Sequence, residues 1–177
     1  MRRAELDHAT PLWLIPKERA KNNQAHEVPL SAWAAEILDG LPKIKGKPGF
    51  VFSTTGKTSV SGFSRVKHRI DELILDALRN AAEERGDDPD KVEPLPRWTF
   101  HDLRRTGASG MARLGIQVPI VEKILNHTSG TFAGVVGVYQ RHGFSDEKRK
   151  ALEAWASFVR SIVDGPKKNV VRMRRNA

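Results

Sequence analysis

Residues 99–142 read TFHDLRRTGASGMARLGIQVPIVEKILNHTSGTFAGVVGVYQRH, the stretch that carries most candidate functional residues of the chain. Tyr139, close to its end, is the only tyrosine in the 177-residue sequence. Imidazole and guanidinium groups bind phosphate oxygens, and a tyrosine hydroxyl is a nucleophile that forms covalent intermediates. The stretch therefore predicts a phosphodiester-handling site built from His101, Arg104, Arg105, His127 and Tyr139.

Helical spacing is expected to bring two of these side chains together. Thr99 is a favourable N-cap and Gly115 a favourable C′ residue, so they predict a helix over residues 100–114. His101 and Arg104 stand three positions apart on that helix and can reach one common point. An ordinary solvated helix face would carry the same residues, and HxxR is too short a pattern to exclude it.

The next two segments carry the other candidates. Pro119 at a first helical position predicts a second helix that ends near His127. Residues 132–139 predict a short apolar helix with Tyr139 near its end. Taken singly, His127 is typical of a helix C-cap residue, and Tyr139 is typical of a packing residue with a satisfied hydroxyl.

Taken together and in this order, HDLRRT, LNHTSG and GVYQRH resemble the catalytic domain of the tyrosine recombinases, especially the phage-type integrases. The upstream segment WLIPKERAKNNQAHEVPLS resembles the β-hairpin that presents a catalytic lysine in that family. The resemblance implies a mainly α fold with a small antiparallel β-sheet at one edge (α+β), the DNA breaking-rejoining enzyme fold. The catalytic residues that it implies are Tyr139 as nucleophile, the HxxR pair His101 and Arg104, the second histidine His127 and the hairpin lysine Lys21.

The resemblance also implies an activity and its partners. The expected reaction is site-specific DNA cleavage and rejoining through a 3′-phosphotyrosyl intermediate, with double-stranded DNA as partner and no small-molecule substrate. Self-association is expected as a tetramer on DNA, with the C-terminal tail exchanged between protomers. The covalent link preserves the phosphodiester energy, so no cofactor is expected. The basic residues expected to contact DNA are Arg105, Lys17, Arg19, Arg65, Lys67 and Arg141.

One part of the family pattern has no match in this sequence. The family has another catalytic arginine, on a helix ahead of the segment that MRRAELD resembles, so its expected position falls before Met1. Arg2 and Arg3 do not match it. The resemblance therefore predicts a truncated catalytic domain over residues 1–164, inactive or impaired as given, followed by a basic tail over residues 165–177.

Charge and composition agree with a polyanionic partner. The formal net charge is +9, and residues 165–177 contain five basic residues and no acid. The absence of cysteine excludes disulfides, thiolate metal sites and cysteine catalysis. The six histidines form no HxxxH or HExxH pair, so no metal site is predicted. No apolar run reaches the length of a membrane span and no signal peptide is present, so a cytoplasmic protein without membrane contact is expected.

The remaining segments give a coarse secondary-structure prediction. Asn22 and Asn23 predict the turn of a β-hairpin, and Lys17, Arg19 and Lys21 are expected at its tip. Before the hairpin, residues 1–7 are interpreted as a helix tail or linker, and after it residues 50–52 as a short strand. Three further helices are predicted: one from Ser31 to Asp39, the longest one opened by Ser61 or Ser64 with an apolar stripe in the core, and a last one capped by Ser145.

Two other functions are compatible with these features. The helices predicted on either side of Gly115 suit a non-catalytic helix-turn-helix DNA-binding module, in which Tyr139 would be structural. An enzyme resembling the type IB topoisomerases would share the chemistry without pairing two DNA sites. Covalent trapping on nicked DNA separates both enzymes from the binding module, and recombination between two sites separates the enzymes from each other.

Overall fold

The computed structural model describes residues 1–127 and 144–165. The chain forms two compact units. One consists of residues 1–43 together with the described residues from 107 onward, and the other consists of residues 44–106. The predicted helix over residues 132–139, with Tyr139 and Arg141, and the basic tail beyond residue 165 lie outside the described residues.

Helices predominate in the described part of the chain, as predicted. The described α-helices are α1 (Ala32–Asp39), α2 (Phe63–Glu84), α3 (Phe100–Arg113), α4 (Val118–Ile124) and α5 (Ser145–Val163). The boundary between the two units falls inside α3. Short 3-10 turns lie at Arg3–Glu5, Lys17–Arg19 and Pro89–Lys91.

A small antiparallel sheet confirms the predicted hairpin. Its strands β1 (Leu6–Asp7), β2 (Leu12–Ile15) and β3 (His26–Pro29) lie in the order β1-β2-β3. The interpretation of residues 1–7 as a helix tail or linker was wrong, since they form a 3-10 turn followed by β1. The reason is local: the carboxylate of Asp7 accepts hydrogen bonds from the backbone N–H groups of the next turn and directs the chain back into β2.

The core of the first unit lies where α4 and α5 pack together. Its buried apolar side chains are those of Met111, Ile120, Val121 and Ala151. Helix α5 also packs against α1 and β3. The buried Lys148 ties α5 to the sheet, because its ammonium donates a hydrogen bond of 2.9 Å to the backbone carbonyl of Glu27. This unit therefore holds the hairpin, α4 and α5 as one packed body.

Helix starts agree with the sequence prediction where a side chain caps the helix. Ser31 Oγ accepts a hydrogen bond from the N–H of Ala34 at the start of α1, as predicted. The caps predicted for the longest helix (Ser61 or Ser64) and for the last helix (Ser145) were wrong. Helix α2 begins after Gly62 at φ 78°, and α5 begins after Phe144 at φ 49° with Ser145 as its first residue. In both cases a left-handed residue turns the chain into the helix.

The second unit departs from the prediction in two further ways. Residues 50–52 form no strand. The apolar stripe of α2 was predicted to be core, but Phe63, Val66 and Leu73 are 58%, 50% and 59% exposed. A 3.6-residue period determines which residues share a face, and it contains no information on whether another surface covers that face.

A close backbone crossing shapes the connector of this unit. A Cβ atom on Gly46 would lie 2.6 Å from the carbonyl carbon and 2.9 Å from the Cα of Gly56, and closer to the carbonyl oxygen. Gly56 itself has a φ of 73°. Only glycine fits both positions, since a side chain at either one would displace the backbone.

Candidate functional site

The HxxR pair lies on the first turns of α3. His101 and Arg104 are both exposed, which is the condition for contact with a phosphate backbone. The carboxylate of Asp102 accepts hydrogen bonds from the backbone N–H and the hydroxyl of Thr99, at 2.8 and 2.9 Å. This contact is the half of a capping box in which the third helical residue reaches back to the N-cap, and it confirms the start of the helix.

The same carboxylate has an electrostatic role. The backbone hydrogen bond from Thr99 is the largest cause that lowers the pKa of Asp102, so the group stays ionised. It lies 3.4 Å from Nη1 of Arg105, an exposed ion pair on the outer face of the helix. A surface pair of this kind is weak because both groups stay solvated, so a phosphate can compete for the guanidinium.

Aromatic contacts within the second unit fix the entry into α3. Trp98 Nε1 donates a 2.8 Å hydrogen bond to Asp71, and the rings of Trp98 and Phe100 meet edge to face at 5.8 Å. Lys67 pairs with the same Asp71 at 2.5 Å, and its ammonium lies 4.6 Å from the centroid of the Trp98 ring. The hydrogen bond from Lys67 is the first cause that lowers the pKa of Asp71. Lys67 is thus held inside its unit, and its DNA contact stays a prediction.

His127 follows α4 and is oriented by a carboxylate. Its backbone N–H donates to the carbonyl of Glu122 at 3.0 Å, and its Nδ1 lies 3.1 and 3.2 Å from the two carboxylate oxygens of the same residue. Because a carboxylate only accepts hydrogen bonds, this contact assigns a proton to Nδ1 and leaves Nε2 for a ligand. The imidazole is 40% exposed, so Nε2 is accessible from solvent.

The candidate lysine lies in the loop between β2 and β3. Lys21 is exposed, and its neighbour Asn22 donates a 3.0 Å hydrogen bond from Nδ2 to Oδ1 of Asn126. Asn126 is in turn the residue before His127, and it has a φ of 54°. The structure therefore brings the lysine loop and the histidine turn together inside the first unit, although they are separated by about a hundred residues of sequence.

A second hydrogen bond fastens the same two segments. Nε2 of the buried His26, at the start of β3, lies 3.1 Å from the backbone carbonyl of Ile124, the last residue of α4. Sequence reasoning did not anticipate that Asn22, His26 and Asn126 connect these two segments. Asparagine before histidine in LNH was a usable sign, since asparagine is enriched in the left-handed conformation.

The other candidate residues have different outcomes. Arg19 forms an ion pair with Glu5, and Lys17 and Arg65 are exposed. The expected meeting of His101 and Arg104 with Lys21 and His127 stays a prediction, because the two pairs belong to different compact units.

Among residues 1–127 and 144–165, no three acidic or histidine side chains cluster as a metal site requires, and no helix is long and apolar enough to cross a membrane.

Comparison with known proteins identifies the family of this chain. The sequence profile described as the Phage integrase family matches residues 1–145. Prophage integrase IntA of Escherichia coli (strain K12) is 26% identical over 161 residues, which cover 91% of this chain and 34% of that protein. The chain thus spans about a third of the length of this curated relative. No solved structure matches the present chain.

Proposed function

This chain belongs to the phage integrase family as a tyrosine recombinase catalytic domain, and we propose that it cuts and rejoins double-stranded DNA at specific sites through a 3′-phosphotyrosyl intermediate. The observation that carries the proposal is the pairing of the Lys21 loop with the His127 turn by the Asn22–Asn126 hydrogen bond. In this proposal the contact brings the loop of the proton donor, Lys21, to the turn of the phosphate ligand, His127. The exposed HxxR pair and the net charge of +9 support the same conclusion.

In the proposed first step Tyr139 gives up its hydroxyl proton to solvent, and the resulting phenolate oxygen attacks the scissile phosphorus. The bond from phosphorus to the 5′-oxygen breaks, and a 3′-phosphotyrosyl ester forms. The 5′-oxygen leaves with the electron pair of that bond and takes a proton from the ammonium of Lys21. Rejoining is the reverse reaction, in which a 5′-hydroxyl attacks the ester and Tyr139 leaves.

The positively charged and hydrogen-bonding groups stabilise the charge that develops on the phosphate. Arg104 presents a guanidinium fork to the non-bridging oxygens, and His101 donates beside it. His127 donates to the phosphate through Nε2 as the imidazolium, in which both ring nitrogens carry a proton and Nδ1 donates to Glu122. These cations also favour the ionised form of Tyr139, whose ordinary pKa is about 10. The proposed fold of residues 1–164 is accordingly the DNA breaking-rejoining fold.

Covalent trapping tests this function. A nicked suicide substrate loses the short fragment that carries the 5′-hydroxyl, so the tyrosyl ester accumulates and a denaturing gel shows the adduct. The resemblance predicts a further arginine in a segment ahead of Met1. The assay therefore uses a chimera in which that segment of a family member precedes this chain.

Three variants of the chimera distinguish the roles. Tyr139→Phe is expected to abolish the adduct and leave DNA binding within about twofold, since a single hydroxyl contributes little to binding or stability. Arg104→Ala is expected to lower cleavage by about 100-fold or more through lost charge stabilisation. Arg113→Ala, on the last turn of the same helix, is the matched control and should cleave normally. An adduct that survives Tyr139→Phe would contradict the assignment, because the chain has no second tyrosine.

DNA binding by the 177-residue chain itself is expected to rest mainly on phosphate contacts. Affinity for duplex DNA should then fall steeply with salt. We propose that residues 165–177 form a basic tail, which either contacts DNA or docks on a neighbouring protomer. Deleting residues 165–177 separates these roles: a flatter salt dependence identifies DNA contact, whereas an unchanged slope with reduced assembly on DNA identifies docking.

A further inference from the structure

Two asparagines connect the loop that holds Lys21 to the turn that holds His127. Asn22 Nδ2 donates to Asn126 Oδ1 over 3.0 Å, in a half-buried contact between residues that are 104 positions apart. Each asparagine is the immediate chain neighbour of a candidate catalytic residue. A hydrogen bond between side-chain amides is directional, so it fixes the separation and the relative orientation of the two segments.

The backbone at Asn126 makes this contact possible. Helix α4 ends at Ile124, and Asn126 has a φ of 54° in the left-handed region. Glycine is the residue that adopts this region without strain, and asparagine tolerates it better than most other residues. Glycine would satisfy the backbone at position 126. Asparagine also adopts this conformation, and it adds the side-chain amide that contacts Asn22.

The two segments are also fastened at a second point. Nε2 of the buried His26 lies 3.1 Å from the backbone carbonyl of Ile124. One residue further along β3, the carbonyl of Glu27 accepts a hydrogen bond from the buried Lys148 of α5. Strand β3 and the end of α4 are thereby held by the packed part of the unit, and the Asn22–Asn126 bond extends this support to the exposed loop of Lys21.

We propose that Asn22 and Asn126 are positioning residues, which clamp the Lys21 loop to the His127 turn so that proton donor and phosphate ligand keep a fixed separation. The role as stated rests on the proposed function. The physical reason is that a long lysine side chain on a free loop would sample many positions, and a general acid must lie within hydrogen-bond reach of the leaving oxygen. Neither asparagine touches the substrate in this assignment.

The clamp can be tested on the 177-residue chain without catalysis. Asn126→Gly removes the amide and keeps the left-handed backbone accessible, so the turn itself should survive. Asn22→Ala removes the other partner. Asn23→Gly is the matched control, since Asn23 is an exposed asparagine in the same loop with a similar φ of 53°. All three are compared with the natural sequence by residue-resolved amide hydrogen exchange and by thermal unfolding.

Asn126→Gly and Asn22→Ala are each expected to accelerate exchange of residues 20–24 by about three- to tenfold, the effect of losing one hydrogen bond. The double variant should exchange no faster than the single variants, because they remove the same bond. Asn23→Gly should leave exchange at residues 125–127 unchanged. Unaltered exchange of the Lys21 loop in Asn126→Gly, or fully additive effects in the double variant, would overturn the clamp.

A leaving-group comparison tests whether the clamp acts through Lys21. In the active chimera, cleavage is measured on DNA with a normal 5′-oxygen and on DNA with a bridging 5′-sulfur at the scissile phosphate. A thiolate leaves without being protonated, so it does not need the lysine. Asn126→Gly is expected to slow cleavage of the oxygen substrate by roughly 10- to 100-fold and to cleave the sulfur substrate almost normally.

The outcomes separate the clamp from the proposed function. An equal defect on both substrates would show that the asparagines do not act through Lys21, and it would overturn the positioning role. Lys21→Ala gives the reference pattern, a defect on oxygen that sulfur rescues. If the natural chimera forms no adduct, the proposed function fails, whereas the exchange experiment still decides whether the two segments are clamped.

Discussion

Replacing Gly110 of α3 with alanine is expected to destabilise the protein, although the same change usually strengthens a helix. A Cβ atom on Gly110 would lie 2.5 Å from Cη2 and 3.0 Å from Cε3 of Trp155, and closer to Cζ3. The Trp155 ring stacks on Phe158 of the same helix α5, with centroids 5.7 Å apart. The added methyl therefore meets a large ring that is already packed against a neighbour.

Two opposing terms determine the magnitude. Alanine is favoured over glycine in a helix interior by about 1 kcal/mol. Overpacking a well-packed site costs about 1–3 kcal/mol, and contacts this short belong in the upper part of that range. The net loss in the free energy of unfolding is then about 1–2 kcal/mol. For a chain of this length it lowers Tm by about 2–8 °C.

Gly107, one turn earlier on the same helix, offers a matched control. A Cβ atom there would lie 3.9 Å from Trp155 Nε1, an ordinary van der Waals distance. Gly107→Ala therefore keeps the gain in helix propensity without the clash, and it should raise Tm by about 2–4 °C. Thermal unfolding followed by circular dichroism and tryptophan fluorescence measures both variants. If Gly110→Ala stabilised the protein as much as Gly107→Ala, the packing of Trp155 on α3 would be refuted.

Three further perturbations have expected outcomes. The hydrogen bond from Thr99 lowers the pKa of Asp102, so this bond stabilises the protein above about pH 4, and its contribution is lost as pH falls through the folded-state pKa. The difference in the free energy of unfolding between the natural protein and Asp102→Asn should therefore shrink as unfolding is measured at lower pH. Burial lowers the pKa of Lys148, so the unfolded state binds this proton more tightly than the folded state does. As pH rises toward about 10, the natural protein should therefore gain stability relative to Lys148→Met, and urea unfolding measures the difference. Gly46→Ala should destabilise residues 44–106 by more than about 1 kcal/mol, because its methyl meets the backbone of Gly56, and amide exchange in that unit would show it.

Local hydrogen bonding explains the part of the fold that could be predicted from the sequence. The hydrogen bond between Thr99 and Asp102 marks the start of α3, and Gly115 follows its end with a φ of 79°. Both features were predictable because they depend on residues that are close in sequence. The hairpin of β2 and β3 was equally predictable from the apolar run Leu12-Trp13-Leu14-Ile15 and the asparagine turn that follows it. Short-range patterns of this kind contain the capping and turn chemistry in full.

Long-range complementarity explains the part that could not be predicted. The contact of Asn22 with Asn126 joins residues 104 positions apart, and no local pattern links them. The fit of Trp155 against Gly110 likewise depends on how two helices pack. For the candidate site, the family resemblance supplied the identities of Lys21 and His127, whereas only the structure supplied the residues that bring their segments together.

Ion pairs between carboxylates and the basic residues predicted to contact DNA have a consequence for DNA binding. In the described residues Arg19 contacts Glu5, Lys67 contacts Asp71, and Arg105 contacts Asp102. The Arg105–Asp102 pair is the most exposed of the three and is weak because both groups stay solvated, so a DNA phosphate can replace its carboxylate. Each exchange releases one counterion from DNA but leaves a carboxylate that attracts a cation again. The salt dependence of binding should therefore correspond to fewer phosphate contacts than the number of basic residues predicted to contact DNA. By contrast, the five basic residues within 165–177 are accompanied by no acid in that segment, so they should contribute fully to that dependence wherever they reach DNA.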